Sequence, residues 1–258
     1  MNSADWNPSS YAQFAGLRLR PALDLLAQIP NLPKGDIVDL GCGAGAVAPD
    51  LALRFAGRGL IGVDTSPEML AQAEAGQIYH QLYTADAGLW APHDPTALIY
   101  SNALCHWLPD HDRLFARLAG MLVPGGVLAV QMPRQYGQPS HALMREIAPL
   151  LFPDRFDFSD WQAPVHEPAI YHRMLAPLGA VSVWQTEYLQ PLDAVPDGHP
   201  VRHFTQSTAL RPFAAKLSGA ELTSFVAAYD DALRIAYPPA PDGSVLFPFQ
   251  RLFFTLVI

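Results

Sequence analysis

The sequence predicts an α/β fold: a parallel sheet with helices on both faces, a helical arm before it and helical insertions after it. Three observations carry this expectation. Short apolar runs alternate with segments of helical spacing through the first half of the chain. A glycine-rich loop follows the first of these runs and opens a helix. From Arg134 to about Pro177 the chain turns rich in proline, histidine and aromatic residues, with no convincing strand.

The elements read as follows. Ile37-Val38-Asp39-Leu40 is an apolar run ending in Gly41-Cys42-Gly43-Ala44-Gly45, and a helix follows to about Phe55. Leu60-Ile61-Gly62-Val63 is a second strand, closed by Asp64. Ser66-Pro67-Glu68 starts a helix, with Ser as cap, Pro at the first helical position and Glu at the positive end of the dipole. Ala97 to Tyr100 reads as a strand, Arg113 to Leu122 as a helix stopped by Pro124-Gly125-Gly126, and Val127 to Val130 as a further strand. Ala180 to Thr186 has strand character. Ser218-Gly219-Ala220-Glu221 forms a capping box before Leu222, Phe225, Val226, Tyr229 and Leu233 at helical spacing. Leu252 to Ile258 reads as a terminal strand. No internal repeat, low-complexity segment or free linker interrupts the chain, so a single domain over 1–258 is expected.

Composition excludes several classes. Of 258 residues, 16 are Lys or Arg and 24 Asp or Glu, giving a net charge of −8. With only two lysines, such a chain lacks the basic stripe that nucleic-acid phosphates require. No apolar run reaches about 18 residues, and the first 30 lack a basic-then-apolar leader, so neither a membrane partner nor export is expected and the setting reads as cytoplasmic. Cys42 and Cys105 make neither a zinc set nor a disulfide framework, so no metal is expected. The half-apolar composition supports a large core.

The first strand, loop and helix carry the chemistry. Glycines at alternate positions let the backbone turn sharply and a ligand approach closely. A dinucleotide fold also places a glycine loop here. The spacing, however, is G-x-G-x-G rather than G-x-G-x-x-G, and Asp39 stands two places before the first glycine. A carboxylate there would repel a pyrophosphate and suits a cationic amino-acid group.

This segment resembles the S-adenosylmethionine (AdoMet) binding motif of class I methyltransferases, whose fold is Rossmann-like. The resemblance implies that the glycine loop holds the methionine part of the cofactor and that Asp64, ending the second strand, holds the ribose hydroxyls. It places Met69 near the adenine and Asp86, in Ala85-Asp86-Ala87, at its amino group. The whole cofactor-binding set implied is Asp39, Gly41, Cys42, Gly43, Gly45, Asp64, Thr65, Met69, Asp86, Ala87, Asn102 and Trp107, around a core of about 31–133.

Further segments resemble the trans-aconitate 2-methyltransferase family. They are Asp5 to Tyr11, Arg18 to Leu26, Asn102 to His111 (NALCHWLPDH), Gly126 to Pro133 (GVLAVQMP), His141 to Glu146 (HALMRE), Leu210-Arg211-Pro212 and Phe249 to Phe253. The sequence departs from that family's pattern at Ala46-Val47-Ala48, at His106 where Gln is expected, and at Arg134 where an acidic residue is expected. The resemblance implies that residues 134–177 and 190–240 cover the substrate and that a terminal strand occupies about 250–258.

The implied reaction moves a methyl from AdoMet to one carboxylate of trans-aconitate, leaving S-adenosylhomocysteine. A carboxylate with a pKa near 4 is already the nucleophile at pH 7, so no general base, and no catalytic residue beyond positioning groups, is expected. The remaining carboxylates call for Arg forks. The candidates are Arg18, Arg145, Arg211 and Arg251, of which two are expected to touch substrate, with Trp6, Tyr11, His106 and His141 as walls and further donors. The partner is then a small tricarboxylate, and the protein a monomer or weak homo-oligomer. His106 and Arg134 keep a different small acid or a phenol open as the acceptor. A nicotinamide oxidoreductase and an AdoMet sensor without transfer remain as other classes.

Overall fold

The computed structural model describes residues 15–258, with side chains from Leu19 onward. Trp6 and Tyr11 lie outside the described residues, and Arg18 is described in its backbone only. The chain divides into two compact units. The first comprises 18–133, 164–186 and 251–258; the second comprises 134–163 and 187–250 together with residues 15–17. Of residues 134–177, 134–163 lie in the second unit and 164–177 in the first.

The sheet has seven strands in the order β3-β2-β1-β4-β5-β7-β6. These are β1 Ile37–Leu40, β2 Leu60–Asp64, β3 Gln81–Thr84, β4 Thr96–Asn102, β5 Leu122–Pro133, β6 Ala180–Leu192 and β7 Val245–Val257. The pairs β1·β2, β1·β4, β2·β3 and β4·β5 are parallel, whereas β7 runs antiparallel to β5. The expected sheet is thus parallel from β3 to β5, with β7 antiparallel beside β5. β1 has β2 on one side and β4 on the other, which makes its carboxyl end the topological switch point where α/β sheets bind ligands.

The helices are α1 Ala15–Ala27, α2 Ala48–Arg54, α3 Pro67–Ala75, α4 His111–Ala119, α5 Pro139–Leu151, α6 Pro168–Leu175, α7 Pro200–Gln206, α8 Arg211–Ala214 and α9 Gly219–Ala236. Ser66 caps α3 by accepting from Met69 N, as expected. α9 opens on the Ser218/Glu221 capping box.

Three readings needed correction. β3 has mostly exposed side chains and so lacks the apolar run by which strands were found. α4 begins at His111 and stops at Ala119, because Gly120 caps it. Leu122, read as the end of that helix, instead pairs with Thr96 and starts β5, which runs through Pro124-Gly125-Gly126.

Side chains opposite each other in the ladder share a face of the sheet. Asp39 pairs with Tyr100, Tyr100 with Ala129, and Asn102 with Gln131. Gln131 pairs with Phe253 and Pro133 with Arg251. Asp39, Asn102, Gln131 and Arg251 therefore lie on one face. α1 covers this face, since Tyr100 Oη donates to Ala22 O at 2.7 Å. The opposite face carries Phe254, which meets Phe115 of α4 at 4.9 Å and Tyr171 of α6 at 6.1 Å between ring centroids.

The second unit has its own core. Phe156, Phe213, Phe225 and Tyr229 stack in sequence at centroid distances of 5.6, 5.6 and 6.4 Å. Tyr229 Oη donates to Ser140 O at 2.6 Å, and Ser140 N donates to Tyr237 Oη at 3.1 Å. These bonds satisfy the buried start of α5 and fix it against α9.

Candidate cofactor and acceptor site

The glycine loop leaves β1 at the switch point. Gly41 has φ +80°, and a Cβ there would stand 2.7 Å from Leu104 Cβ, so both the turn and the space demand glycine. Gly43 N donates to Asp64 Oδ2 at 2.9 Å, and Ser66 N donates to Asp64 Oδ1 at 3.0 Å. Asp64 thereby joins the loop after β1 to the start of α3 while each oxygen keeps a lone pair for a further donor. A Cβ on Gly43 would meet Met69 Cε at 3.3 Å, which sets the Met69 side chain beside the loop. Cys42 is buried, and Gly45 N bonds back to its carbonyl at 2.9 Å.

Asp39 is 2% exposed and accepts from Tyr79 Oη at 2.6 Å. Burial raises its carboxyl from 3.8 to about 7, against the lowering effect of the tyrosine hydroxyl, and Asp64 adds to the rise. Such a group gains from a cation placed against it. Asn102, ending β4, has a buried Oδ1 with no hydrogen-bond partner among the described residues. A buried orphan acceptor beside a carboxylate fits the ammonium of an amino acid, and Asp64 fits a diol; the residues present suit AdoMet.

Asp86 is exposed and accepts from Gly88 N at 2.7 Å. The following loop is pinned by Arg117 of α4, which donates to Ala87 O at 2.6 Å and Trp90 O at 2.7 Å. Ala87 is buried and Thr65 exposed.

After Asn102 the chain turns through Ala103, whose φ of +55° is unusual for a residue with a side chain. A 3-10 turn, Cys105–Trp107, follows. His111 secures it, bonding Cys105 O through Nε2 at 2.9 Å and Tyr171 Oη through Nδ1 at 2.7 Å. His106 is 8% exposed and its Nδ1 has no partner among the described residues. Burial first, then the Arg251 guanidinium and His111, lower it from 6.5 to about 3, so this ring is neutral at physiological pH. Trp107, expected against the cofactor, is 65% exposed, with its ring tilted 4.7 Å from His106. Arg251 is 6% exposed at the carboxyl end of β5, opposite Pro133.

His141, Arg145 and Arg211 belong to the second unit. Arg145 lies with its guanidinium carbon 3.7 Å from the Trp161 ring centroid and donates to His141 O at 3.2 Å and to Tyr136 O. The His141 ring accepts from or donates to Ser140 Oγ at 3.0 Å, and burial, with Arg145, lowers it to about 4. Arg211 is exposed at the start of the four-residue α8.

Sequence reasoning missed Tyr79, Gly62 and Gln131. The first two lie far along the chain from the glycine loop they support. Gln131 did carry a signal, being a lone polar residue inside the apolar run from Val127 to Met132.

A family model described as a methyltransferase domain matches residues 11–190. Proteins named trans-aconitate 2-methyltransferase are similar over nearly the full length. The one from Afipia carboxidovorans is 41% identical, covering 98% of this chain and 99% of its own. The one from Streptomyces avermitilis is 44% identical, covering 96% and 95%. Among solved structures, phosphoethanolamine N-methyltransferase 2 of Haemonchus contortus with S-adenosyl-L-methionine shares the fold at TM-score 0.52 and 19% identity, over 92% of this chain and 52% of that one. A Bacillus protein, YcgJ, aligns at TM-score 0.59 and 13% identity over 92% and 97%.

The sheet order, the switch-point glycine loop and the two carboxylates beside it are those of a class I, AdoMet-dependent methyltransferase. Within that class, the chain belongs to the trans-aconitate 2-methyltransferase family. No helix among the described residues is long and apolar enough to cross a membrane.

Proposed function

We propose that this chain methylates one carboxylate of trans-aconitate to give its monomethyl ester. The observation that carries this is Arg251. Its buried guanidinium shares a sheet face with Asp39 and Asn102 and stands at the same carboxyl edge of the strands. An anion-holding group thus lies two strands from the end of β4, on the side of the sheet that suits the cofactor.

Asp39 and Asn102 would take the cofactor's ammonium, Asp64 its ribose hydroxyls, and Asp86 its adenine amino group. When bound, AdoMet supplies an electrophilic sulfonium methyl. The chain's own task is to hold an acceptor carboxylate in line with that methyl and keep water away. Alignment of this kind is worth roughly 7–11 kcal/mol of a barrier. A carboxylate is ionised at pH 7, so no proton need be removed. The neutral His106 ring can accept or donate a hydrogen bond without neutralising the acceptor's charge. Arg251 would bind a carboxylate that does not react. The family match and the small polar set favour a small acid as substrate. A cytoplasmic setting accords with two buried free cysteines.

Methyl transfer from labelled AdoMet to trans-aconitate, with cis-aconitate, citrate and isocitrate alongside, tests the reading. Preference for trans-aconitate with formation of a base-labile ester is expected. Binding of AdoMet with no transfer to any of these acids would overturn it.

A further inference from the structure

Gln131 is an anomaly in the sheet. It is 0% exposed, in a strand where Val127 to Val130 and Met132 are equally buried and apolar. Neither its Oε1 nor its Nε2 has a hydrogen-bond partner among the described residues. Burying both ends of a carboxamide unpaired is costly, and a fold keeps such a group only for a reason. Packing is not that reason, because Leu or Met would fill the same volume without the penalty.

Its neighbours supply one. In register, Gln131 stands beside Asn102 on β4 and Phe253 on β7, and Arg251 is opposite Pro133, one pleat further on the same face. Asn102 Oδ1 is itself an orphan, and so is Nδ1 of His106, four residues beyond Asn102. Several buried polar atoms without partners thus collect at one edge of one sheet face, next to a guanidinium. Phe253, stacked on Trp184 at 5.1 Å and 6°, gives this group an apolar floor.

We propose that Gln131 is a substrate-orienting residue whose carboxamide donates to the acceptor carboxylate and aims it at the transferred methyl. This deepens the proposed function and rests on it. The chemistry favours an amide over a cation at this place. Arg251 can hold an unreactive carboxylate by charge, but a full positive charge on the reacting oxygens would lower their nucleophilicity. An amide N–H fixes their direction with far less effect on their charge. No atom or electron passes to Gln131; the carboxylate oxygen forms the new C–O bond as the C–S bond of the sulfonium breaks.

The test uses Gln131→Met, which keeps length and volume, and Gln131→Glu, which keeps shape and adds a negative charge. AdoMet affinity by calorimetry, kcat/KM for the acceptor and thermal stability without acceptor are measured for each. For Gln131→Met the expected result is a 10- to 100-fold fall in kcat/KM, AdoMet affinity within twofold of the parent, and an unchanged or higher melting temperature. Gln131→Glu should lose more of kcat/KM than Gln131→Met. A residue that merely supports the fold would show the opposite pattern, with a lower melting temperature and AdoMet affinity falling alongside turnover. That pattern, or an unchanged kcat/KM in Gln131→Met, overturns the assignment while the parent's activity still stands. If the parent methylates no small acid, the functional reading fails and this inference falls with it.

Discussion

Tyr79 Oη donates to the buried carboxylate of Asp39 at 2.6 Å, across 40 residues of chain. Asp39 stands in β1, two places before the first glycine of the loop, while Tyr79 stands just before β3. The tyrosine ring lies beneath the loop: a Cβ on Gly45 would meet Tyr79 Cε2 at 3.1 Å, and one on Gly62 would meet Cε1 at 2.9 Å. One side chain thus packs against the glycine loop and favours the ionised form of the acid beside it, against the effect of burial.

A pH dependence follows from this pair. Burial takes Asp39 from 3.8 to about 7 in the folded protein, Tyr79 opposing the rise and Asp64 adding to it. Protonation favours the fold, so this contribution to stability is complete below about pH 4 and is lost as pH rises through 7. Affinity for a cationic ligand moves the other way. Titration calorimetry from pH 5.5 to 7.5 should show AdoMet affinity rising with pH. In Tyr79→Phe the rise should shift to higher pH, with affinity at pH 7 weaker by about fivefold if the carboxyl rises by about one pKa unit, since its ionised fraction there falls from about a half to about a tenth. Affinity independent of pH in both proteins would separate Asp39 from the ammonium.

Asp64 has two duties that a variant can separate. Asp64→Ala removes the acceptor for Gly43 N and Ser66 N as well as the partner for a diol. Losing two bonds to an ionised group should cost about 1–3 kcal/mol of stability, read by denaturant unfolding, and roughly 100-fold in AdoMet affinity. S-adenosylhomocysteine, which keeps the ribose, should weaken equally; methionine, which lacks it, should weaken less, through the loosened loop alone.

Gly62 is predicted to refuse any side chain. An added Cβ would stand 2.6 Å from Leu82 Cδ2, 2.9 Å from Tyr79 Cε1 and 3.0 Å from Cys42 Sγ. Gly62→Ala should lower stability by about 1–3 kcal/mol through overpacking. AdoMet affinity should fall with it, because the displaced groups are those under the loop. A melting temperature equal to the parent's would show that the cluster yields.

Arg251→Ala should raise KM for the acid substrate roughly 10- to 100-fold, the range for losing hydrogen bonds to a charged group, with AdoMet affinity unchanged. Arg251→Lys should recover only part of this, since an ammonium lacks the planar fork. Equal KM values in steady-state kinetics for all three proteins would remove Arg251 from the site.

In the second unit, Arg202 Nε meets Asp230 at 2.9 and 3.0 Å, with both residues less than 10% exposed, and His199 N also bonds Asp230 at 3.1 Å. Removing Asp230 leaves the buried guanidinium with only Asp197, an exposed carboxylate 3.2 Å away, so Asp230→Ala should cost about 3 kcal/mol in chemical denaturation. A loss below 1 kcal/mol would mean that water enters the pair.

The sequence by itself determined whatever depends on neighbours in the chain. The Ser66-Pro67 helix start and the Ser218/Glu221 box are local devices, each satisfied within a few residues, and the Asp39 to Gly45 loop and the acid at the end of β2 are legible from spacing although their hydrogen bonds are long-range. β3 was not, because an edge strand with exposed side chains has no apolar run to reveal it. The end of α4 was misread because Met121 and Leu122 continue a helical spacing, and only pairing with β4 draws Leu122 into the sheet. Tertiary structure alone decided which polar groups lose water and which of them find partners. Strand order brings Tyr79 to Asp39, and strand register sets Gln131 beside Asn102 with Arg251 one pleat further on. Charge state and unmet hydrogen bonding follow from burial and long-range pairing, and neither is written in the spacing of residues along a chain.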